Sequence, residues 1–278
     1  MAFPETPGIT MLKSNSEPAR CVSVGKFIPN GMAVLGLETI EGYTNLYPKC
    51  YGDYFVFNET GKANDKNKAL SRCLITNNYY SPFYELMNTK YLILSPDIRI
   101  KGQAGFEQLF KPIYNHEIVI YENRFCFSRA FGVTGFNIVD NRNEALEAMK
   151  DMDIQKLRNN VVLYDLPKSM KISEKYKAAS GVINTKIIDY SANSMRIYSE
   201  STNPGFVVIS NNWNPGWKAY VDGRPTEILK ANGFMQAVKV PEGGHEVELL
   251  FRPWNVIIGI LISLCGWGLL IVFILLLL

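Results

Sequence analysis

The chain has 278 residues, 47% hydrophobic and 12% aromatic, with 29 Lys and Arg against 26 Asp and Glu for a formal charge of +3. That charge is spread along the sequence with no basic run able to follow a phosphate backbone, which excludes nucleic acid as a partner. Apart from its last segment the composition is that of an ordinary globular protein, large enough for two domains.

The start, Met1 to Pro7, has no basic region followed by an apolar stretch and so does not read as a signal peptide. Thr6-Pro7 predicts a helix start, with Thr as cap and Pro in the first turn, leading into a short helix over 9–14. A strand over 19–24 follows, closed by Pro29-Asn30-Gly31. Gly42 to Phe55 is aromatic, and Tyr47, Tyr51, Tyr54 and Phe55 fall at helical spacing, which gives one aromatic face. Residues 58–68 are polar and Lys-rich and read as a solvated loop. Within them Asn58-Glu59-Thr60 matches a glycosylation acceptor, a pattern too short to decide anything.

Ser81-Pro82 opens a second short helix through Met87, and 90–94, 117–121 and 126–133 read as strands. Residues 143–150, with Ala145, Leu146 and Met149 on one face, predict a surface helix. This first region ends near Asp165-Leu166-Pro167. From Gly181 the pattern changes to strands bounded by turn dipeptides: Asp222-Gly223, Asn232-Gly233 and Gly243-Gly244 are each a hairpin signal. Val247, Leu249 and Phe251 carry the period of a half-buried strand, and the even spacing predicts an antiparallel β-sandwich.

Val256 to Leu278 holds no charged side chain and predicts a membrane-spanning helix, with Trp254 placed at the headgroup level. Gly259, Gly266 and Gly268 are ordinary in such a helix. The expected fold class is therefore α+β: a mixed α/β subdomain over 1–167, a β-sandwich over 168–253 and one transmembrane helix over 254–278. The lipid bilayer is the first partner this implies, and charge alone does not orient the chain across it. A large domain without a signal peptide, held outside the cytoplasm, implies delivery by an upstream membrane module; a tail-anchored cytoplasmic protein is the alternative.

Chemistry is sparse. The five cysteines, Cys21, Cys50, Cys73, Cys126 and Cys265, form no C-x-x-C pair and the two histidines are far from them in sequence, so the reading is no metal site and no cofactor. No nucleophile elbow, phosphate loop or zinc-protease motif is present, and no catalytic residue is assigned. Two aromatic segments remain as candidate ligand contacts. Asn211, Asn212, Trp213, Asn214 and Trp217 combine amides with indole rings at a strand-turn-strand junction, a combination suited to sugar rings, whose C–H faces stack while their hydroxyls bond sideways. The bland reading is that Trp217 fills the sandwich core and the residues before it only turn the chain. Tyr43 and Tyr47 carry the same ambiguity between packing and contact.

The run Phe206 to Gly223, followed by Lys230-Ala231-Asn232-Gly233-Phe234 and Val240 to Val247, resembles the signature region of the YfhO-like bacterial membrane protein family. Gly42-Tyr43 with Leu46-Tyr47-Pro48, and Asn88 to Ile93, resemble it too, so the likeness runs across essentially the whole chain. The resemblance implies a GT-C glycosyltransferase plan: a multi-helix membrane module, an extracytoplasmic domain and a final helix, adding sugars from a lipid-phosphate donor to cell-envelope polymers such as teichoic acids. The partners it implies are an envelope glycan or polyprenyl-phosphate sugar and the missing N-terminal membrane module. It puts the catalytic acid in that module, so the chain alone is expected to be inactive, with a non-catalytic carbohydrate-binding or scaffolding role as the alternative.

Overall fold

The computed structural model describes residues 5–28, 30–44, 46–63, 73–98, 105–167 and 181–277. The first elements are α1 (Pro7–Lys13), β1 (Arg20–Val24), α2 (Gly31–Val34), β2 (Glu38–Thr39), β3 (Gly42–Tyr43), α3 (Lys49–Thr60), β4 (Cys73–Leu74), α4 (Pro82–Leu86) and β5 (Thr89–Leu94). They are followed by α5 (Phe106–Leu109), β6 (Phe110–Asn115), β7 (Val119–Asn123), β8 (Ala130–Val133), β9 (Gly135–Val139), α6 (Arg142–Lys150), α7 (Ile154–Asn159) and β10 (Asn160–Tyr164). The helix starts are written in the sequence. Ser81 Oγ accepts from the Phe83 amide with Pro82 in the first turn, Asn141 caps the Glu144 amide, and Asp153 caps that of Lys156. Helix α3 ends on Gly61 at φ 64°, a left-handed position that glycine takes without a Cβ penalty.

The remaining elements are β11 (Ile183–Tyr190), β12 (Ser194–Ser201), β13 (Gly205–Ile209), β14 (Trp217–Val221), β15 (Arg224–Thr226), β16 (Ile228–Ala231), β17 (Met235–Val240), β18 (Gly243–Phe251) and α8 (Trp254–Leu277). Three large sheets result, ordered β2-β1-β5-β7-β6, β8-β13-β17-β16-β10-β9 and β11-β12-β18-β14-β15. In the first, β1 runs parallel to both β2 and β5, whereas β7 is antiparallel to its two neighbours. The third is antiparallel throughout.

Side-chain alternation assigns each face to a core. In β13, Phe206 and Val208 join the largest hydrophobic cluster, together with α3, α4, α6 and one face of the first sheet; Val207 and Ile209 point the other way, into the cluster shared with the third sheet. The six-stranded sheet is thus buried on both sides, which is why β13 is apolar without interruption. Cys21, Ile93 and Ile120 on the opposite face of the first sheet are covered by Ile9 and Leu12 of α1 and Met32 of α2. Each fully buried Phe or Leu in these clusters contributes on the order of 2 kcal/mol.

The sandwich exists, but it is built differently from the sequence reading. Its inner sheet takes β8, β9 and β10 from before Pro167 and β13, β16 and β17 from after it, and β9 and β10 pair in parallel. The expected boundary between residues 167 and 168 lies where the described residues break off. Two turn dipeptides behave as hairpins: Asp222 and Gly223 have φ of 51° and 74° between β14 and β15, and Asn232 and Gly233 have 45° and 80° between β16 and β17. Gly243-Gly244 does not. It opens β18, where the chain leaves the six-stranded sheet for the five-stranded one, and a Cβ on Gly244 would lie 2.4 Å from the Tyr198 hydroxyl.

Two further expectations need correction. Asn58, Glu59 and Thr60 form the last turn of α3 and not a loop, because the apolar face of that helix continues to Phe57; residues 64–68 lie outside the described residues. Asn58 is buried and its amide donates to Thr76 Oγ1 at 3.1 Å, so it is no site for a glycan. Strand pairing also begins at Ala130 and not at Cys126, the intervening residues being held by side-chain bonds.

Helix α8 emerges from the end of β18 through Arg252 and Pro253, its 24 residues long enough to span a hydrocarbon core. No residue of it is buried against the rest of the protein. Its one hydroxyl, on Ser263, donates to the Gly259 carbonyl at 2.9 Å, which satisfies it without water.

Candidate functional site

The segment from Asn211 to Gly216 connects β13 of the inner sheet to β14 of the outer one. Trp213 is half-buried: its indole N–H donates to the Ile228 carbonyl at 3.2 Å, and Lys230 Nζ lies 4.8 Å from its ring centroid. One face of the ring is therefore covered by a cation, which leaves at most the other for a ligand. Asn214 is exposed, and its Oδ1 accepts from the Gly216 amide at 2.8 Å, closing the turn locally. Trp217 packs its ring on Phe251, 5.2 Å between centroids, at the margin of the sandwich core. The turn is fastened to the membrane helix, since the Arg252 amide donates to the Gly216 carbonyl at 2.7 Å. Beside it the Phe251 amide donates to the Asn193 carbonyl at 2.8 Å, so the turn between β11 and β12 lies at the same end.

Asn211 and Asn212 face inward. The Gln236 amide donates to the Asn212 carbonyl at 2.9 Å, while Asn212 Oδ1 and Gln236 Oε1 are buried with no partner among the described residues. Asn211 Oδ1 accepts from Arg129 Nη1 at 3.2 Å and from Arg20 Nη2 at 3.3 Å. It thereby belongs to a cluster that sequence reasoning missed. Arg129, only 1% exposed, also donates to Asn88 Oδ1 at 2.8 Å, to the Tyr190 hydroxyl at 3.3 Å and to Glu38 Oε2 at 2.6 Å. Arg20 donates to the Met87 carbonyl at 2.8 Å and to Ser210 Oγ at 3.2 Å. Tyr190 completes the ring by donating to Glu38 Oε1 at 2.5 Å.

Two guanidiniums thus share one carboxylate where the three sheets meet. Burial, and then the nearby Arg129 charge, lowers Arg20 to about 10. Burial works against the charge on Glu38, yet Arg129, Tyr190 and Arg20 hold its carboxyl below the usual range. Burial pushes the Tyr190 phenol up to about 12 despite Arg129. Arg129 and Asn88 also form the floor of a cleft of about 690 Å³ whose rim carries Lys90, Arg124 and Lys186 with Glu17 and Glu122. The residues involved are scattered from 20 to 211, so no local motif announces them.

Tyr43 is half exposed and sits in the small β3-β4 ribbon, its amide and carbonyl both bonded at 2.8 Å to the side chain of Asn30. Tyr47 is partly buried against the largest core just before α3. The aromatic face of that helix is packing: Tyr54 and Phe234 lie 4.6 Å apart, and Tyr51 and Phe234 5.4 Å. Tyr51 also donates to the Ile40 carbonyl at 2.7 Å. Among the described cysteine side chains, Cys21 is buried, Cys50 and Cys126 are partly so, Cys265 lies on α8, and all four are free. Among the described residues no group of three or more His, Cys, Asp or Glu is placed to hold a metal.

Residues 156–263 match the family model described as bacterial membrane protein YfhO. Over that span the chain is similar to YfhO. The matched span takes in β10 to β18, the Asn211–Gly216 turn, its bond to Arg252 and the start of α8. Arg20, Glu38 and Arg129, and the segments Gly42 to Pro48 and Asn88 to Ile93, lie outside that span. No curated protein and no solved structure matches the chain. The YfhO likeness and the apolar α8 together make this a membrane protein.

Proposed function

We propose that this chain is the extracytoplasmic C-terminal part of a membrane glycosyltransferase-like protein that adds sugars from a lipid-phosphate donor to cell-envelope polymers such as teichoic acids, and that the part described here supports acceptor binding. The observation that carries this reading is the bond between Arg252 and Gly216. It fastens the Asn211–Gly216 turn, with Trp213, two residues from the start of the membrane helix. A surface held there meets membrane-bound polymers and lipid-linked sugars at the depth where both reside. The N-terminal half of the chain then serves as the frame that holds the turn, through Arg20 and Arg129 on Asn211.

The test is a deletion strain complemented with the wild-type gene or with Trp213→Ala, with the glycosyl content of envelope polymers read by NMR. Deletion is expected to lower that content, the wild-type gene to restore it and Trp213→Ala to restore it only in part. Unchanged glycosylation on deletion would overturn the transferase reading. The rival, a membrane-anchored carbohydrate-binding or scaffolding module without catalysis, would then be examined by titrating purified envelope glycan onto the chain in nanodiscs.

A further inference from the structure

The carboxyl ends of β1 and β2 open on a crevice of about 170 Å³ lined by Ser23, Phe27, Glu41, Leu74, Asn77 and Tyr79, among others. Crevices outside the carboxyl ends of parallel strands are where ligands seat in open α/β sheets. The crevice exists because β2 is short. Its pairing with β1 ends at Thr39 opposite Cys21, so the next β1 amide on that edge lacks a strand partner. Glu41 replaces the missing strand: its Oε2 accepts from the Ser23 amide at 2.8 Å and from Ser23 Oγ at 3.2 Å. Among the described residues its other oxygen has no hydrogen-bond partner, and no Lys or Arg pairs with it. Glu41 is partly buried and its spare oxygen is not sealed from water, so it stands open at the crevice to accept from a ligand hydroxyl.

We propose that this crevice binds one neutral sugar ring, its hydroxyls donating to Glu41 and bonding the exposed amide of Asn77 while its C–H face lies against the wall formed by Phe27, Leu74 and Tyr79. Its volume is that of about five or six waters, room for one ring and not for an oligosaccharide. The choice of a sugar over other hydroxyl-bearing ligands rests on the glycan-handling role proposed above. The lining sets apolar side chains beside the polar groups of Ser23, Asn30, Glu41 and Asn77, the pairing of a stacking surface with hydrogen-bonding groups that one sugar ring uses.

Charge at the crevice changes in a single step near neutrality. Burial pushes the Glu41 carboxyl up to about 7 in spite of the two Ser23 bonds. The other titratable groups that sense its charge are Cys21 on β1, Tyr51 on α3, Tyr79, and Tyr84 on α4; burial raises all four, so they stay neutral between pH 5 and 9. The ionised form accepts from two hydroxyls at once, whereas the acid form offers one good acceptor fewer. Sugar binding therefore strengthens as pH rises from 6 to 8.

The full chain in detergent micelles is titrated with the methyl glycosides of glucose, galactose and N-acetylglucosamine at pH 6 and pH 8, followed by calorimetry and NMR. At least one is expected to bind in the millimolar range, more tightly at pH 8, with Glu41→Gln weakening it about tenfold at pH 8 and removing the pH dependence. Asn77→Ala, at an exposed position, is expected to weaken it severalfold. Should Glu41→Gln not fold, the wild-type pH profile and Asn77→Ala decide the matter. Absence of binding by all three glycosides, or binding that ignores both pH and Asn77→Ala, overturns the proposal. If the titration fails while envelope glycosylation still falls on gene deletion, only the crevice assignment is lost; if the titration succeeds and glycosylation does not fall, only the transferase role is.

Discussion

Arg129 and Glu38 are joined at 2.6 Å across the seam between the first sheet and the sandwich, the guanidinium 1% exposed and the carboxylate 40%. The asymmetry sets the consequence of breaking the pair. Water reaches Glu38, which also keeps Tyr190 and a longer contact to Arg20 at 3.8 Å. Arg129 keeps its neutral partners Asn88, Tyr190 and Asn211 but neither water nor, among the described residues, another carboxylate, so Glu38→Gln leaves a buried cation without its counter-charge and should cost about 3 kcal/mol. In a double-mutant cycle with Arg129→Gln the two changes should couple by about 1 to 3 kcal/mol, read from urea unfolding of the solubilised chain. Strict additivity would mean that the pair contributes no interaction energy.

Trp213 and Trp217 should separate under alanine substitution. Trp217 packs on Phe251 at the edge of the sandwich core, and its loss should cost about 3 kcal/mol. Trp213→Ala removes one hydrogen bond and one cation contact and should cost about 1 to 2 kcal/mol. Thermal melts of the two variants side by side give the comparison, and equal losses would mark Trp213 as a core residue.

His245 and Asp222 hold the β14-β15 turn onto β18 at 2.6 Å. The bond to Asp222 and that to the Glu242 carbonyl raise the histidine above its ordinary 6.5. Its contribution is full below 6.5 and is lost as pH rises through the raised value. The bonds from His245 and from the Glu246 amide lower Asp222 below its ordinary 3.8, so its contribution is full above 3.8 and is lost as pH falls through the lowered value. Melting temperature should therefore fall as pH rises above 6.5, and Asp222→Asn should flatten that limb; a variant with the wild-type profile would assign the pH dependence elsewhere.

The uncharged α8 should retain the full chain in membranes, whereas a chain ended at Arg252 should be soluble without detergent. Gly266→Arg, near the middle of the helix, should cost roughly 2.5 to 3.5 kcal/mol of insertion. Fractionation of the three forms checks both statements, and a soluble full-length chain would remove the anchor.

Orientation is accessible through the exposed β14-β15 turn. With Arg224→Cys in the intact protein, an impermeant thiol reagent should label whole cells as strongly as lysed ones. Labelling that requires lysis would put the large domain in the cytoplasm.

Legibility in the sequence followed the range of the interactions involved. The helix starts at Ser81-Pro82 and Pro7, the Asp222-Gly223 turn and the membrane span were readable because each depends on neighbours within a few residues. The membership of the inner sheet was not, since β10 pairs with β16 across about seventy residues and nothing in Val161 or Leu163 names that partner. Asn211 was picked out for its amide, and it does bond, but to Arg20 and Arg129 on the inside of the protein. Arg129 reads as a surface cation on composition alone, because arginine is rarely buried unless paired, and its partner lies ninety-one residues away.

The shared inner sheet imposes an order on biogenesis. Strands β9 and β10 can pair with each other as soon as both are made, but β8 and the other edge of β10 stay open until β13 and β16 arrive. The first half of the chain must therefore wait, half-assembled and with sticky edges, while the second half is made. That interval is when the unfinished domain most needs a holding chaperone.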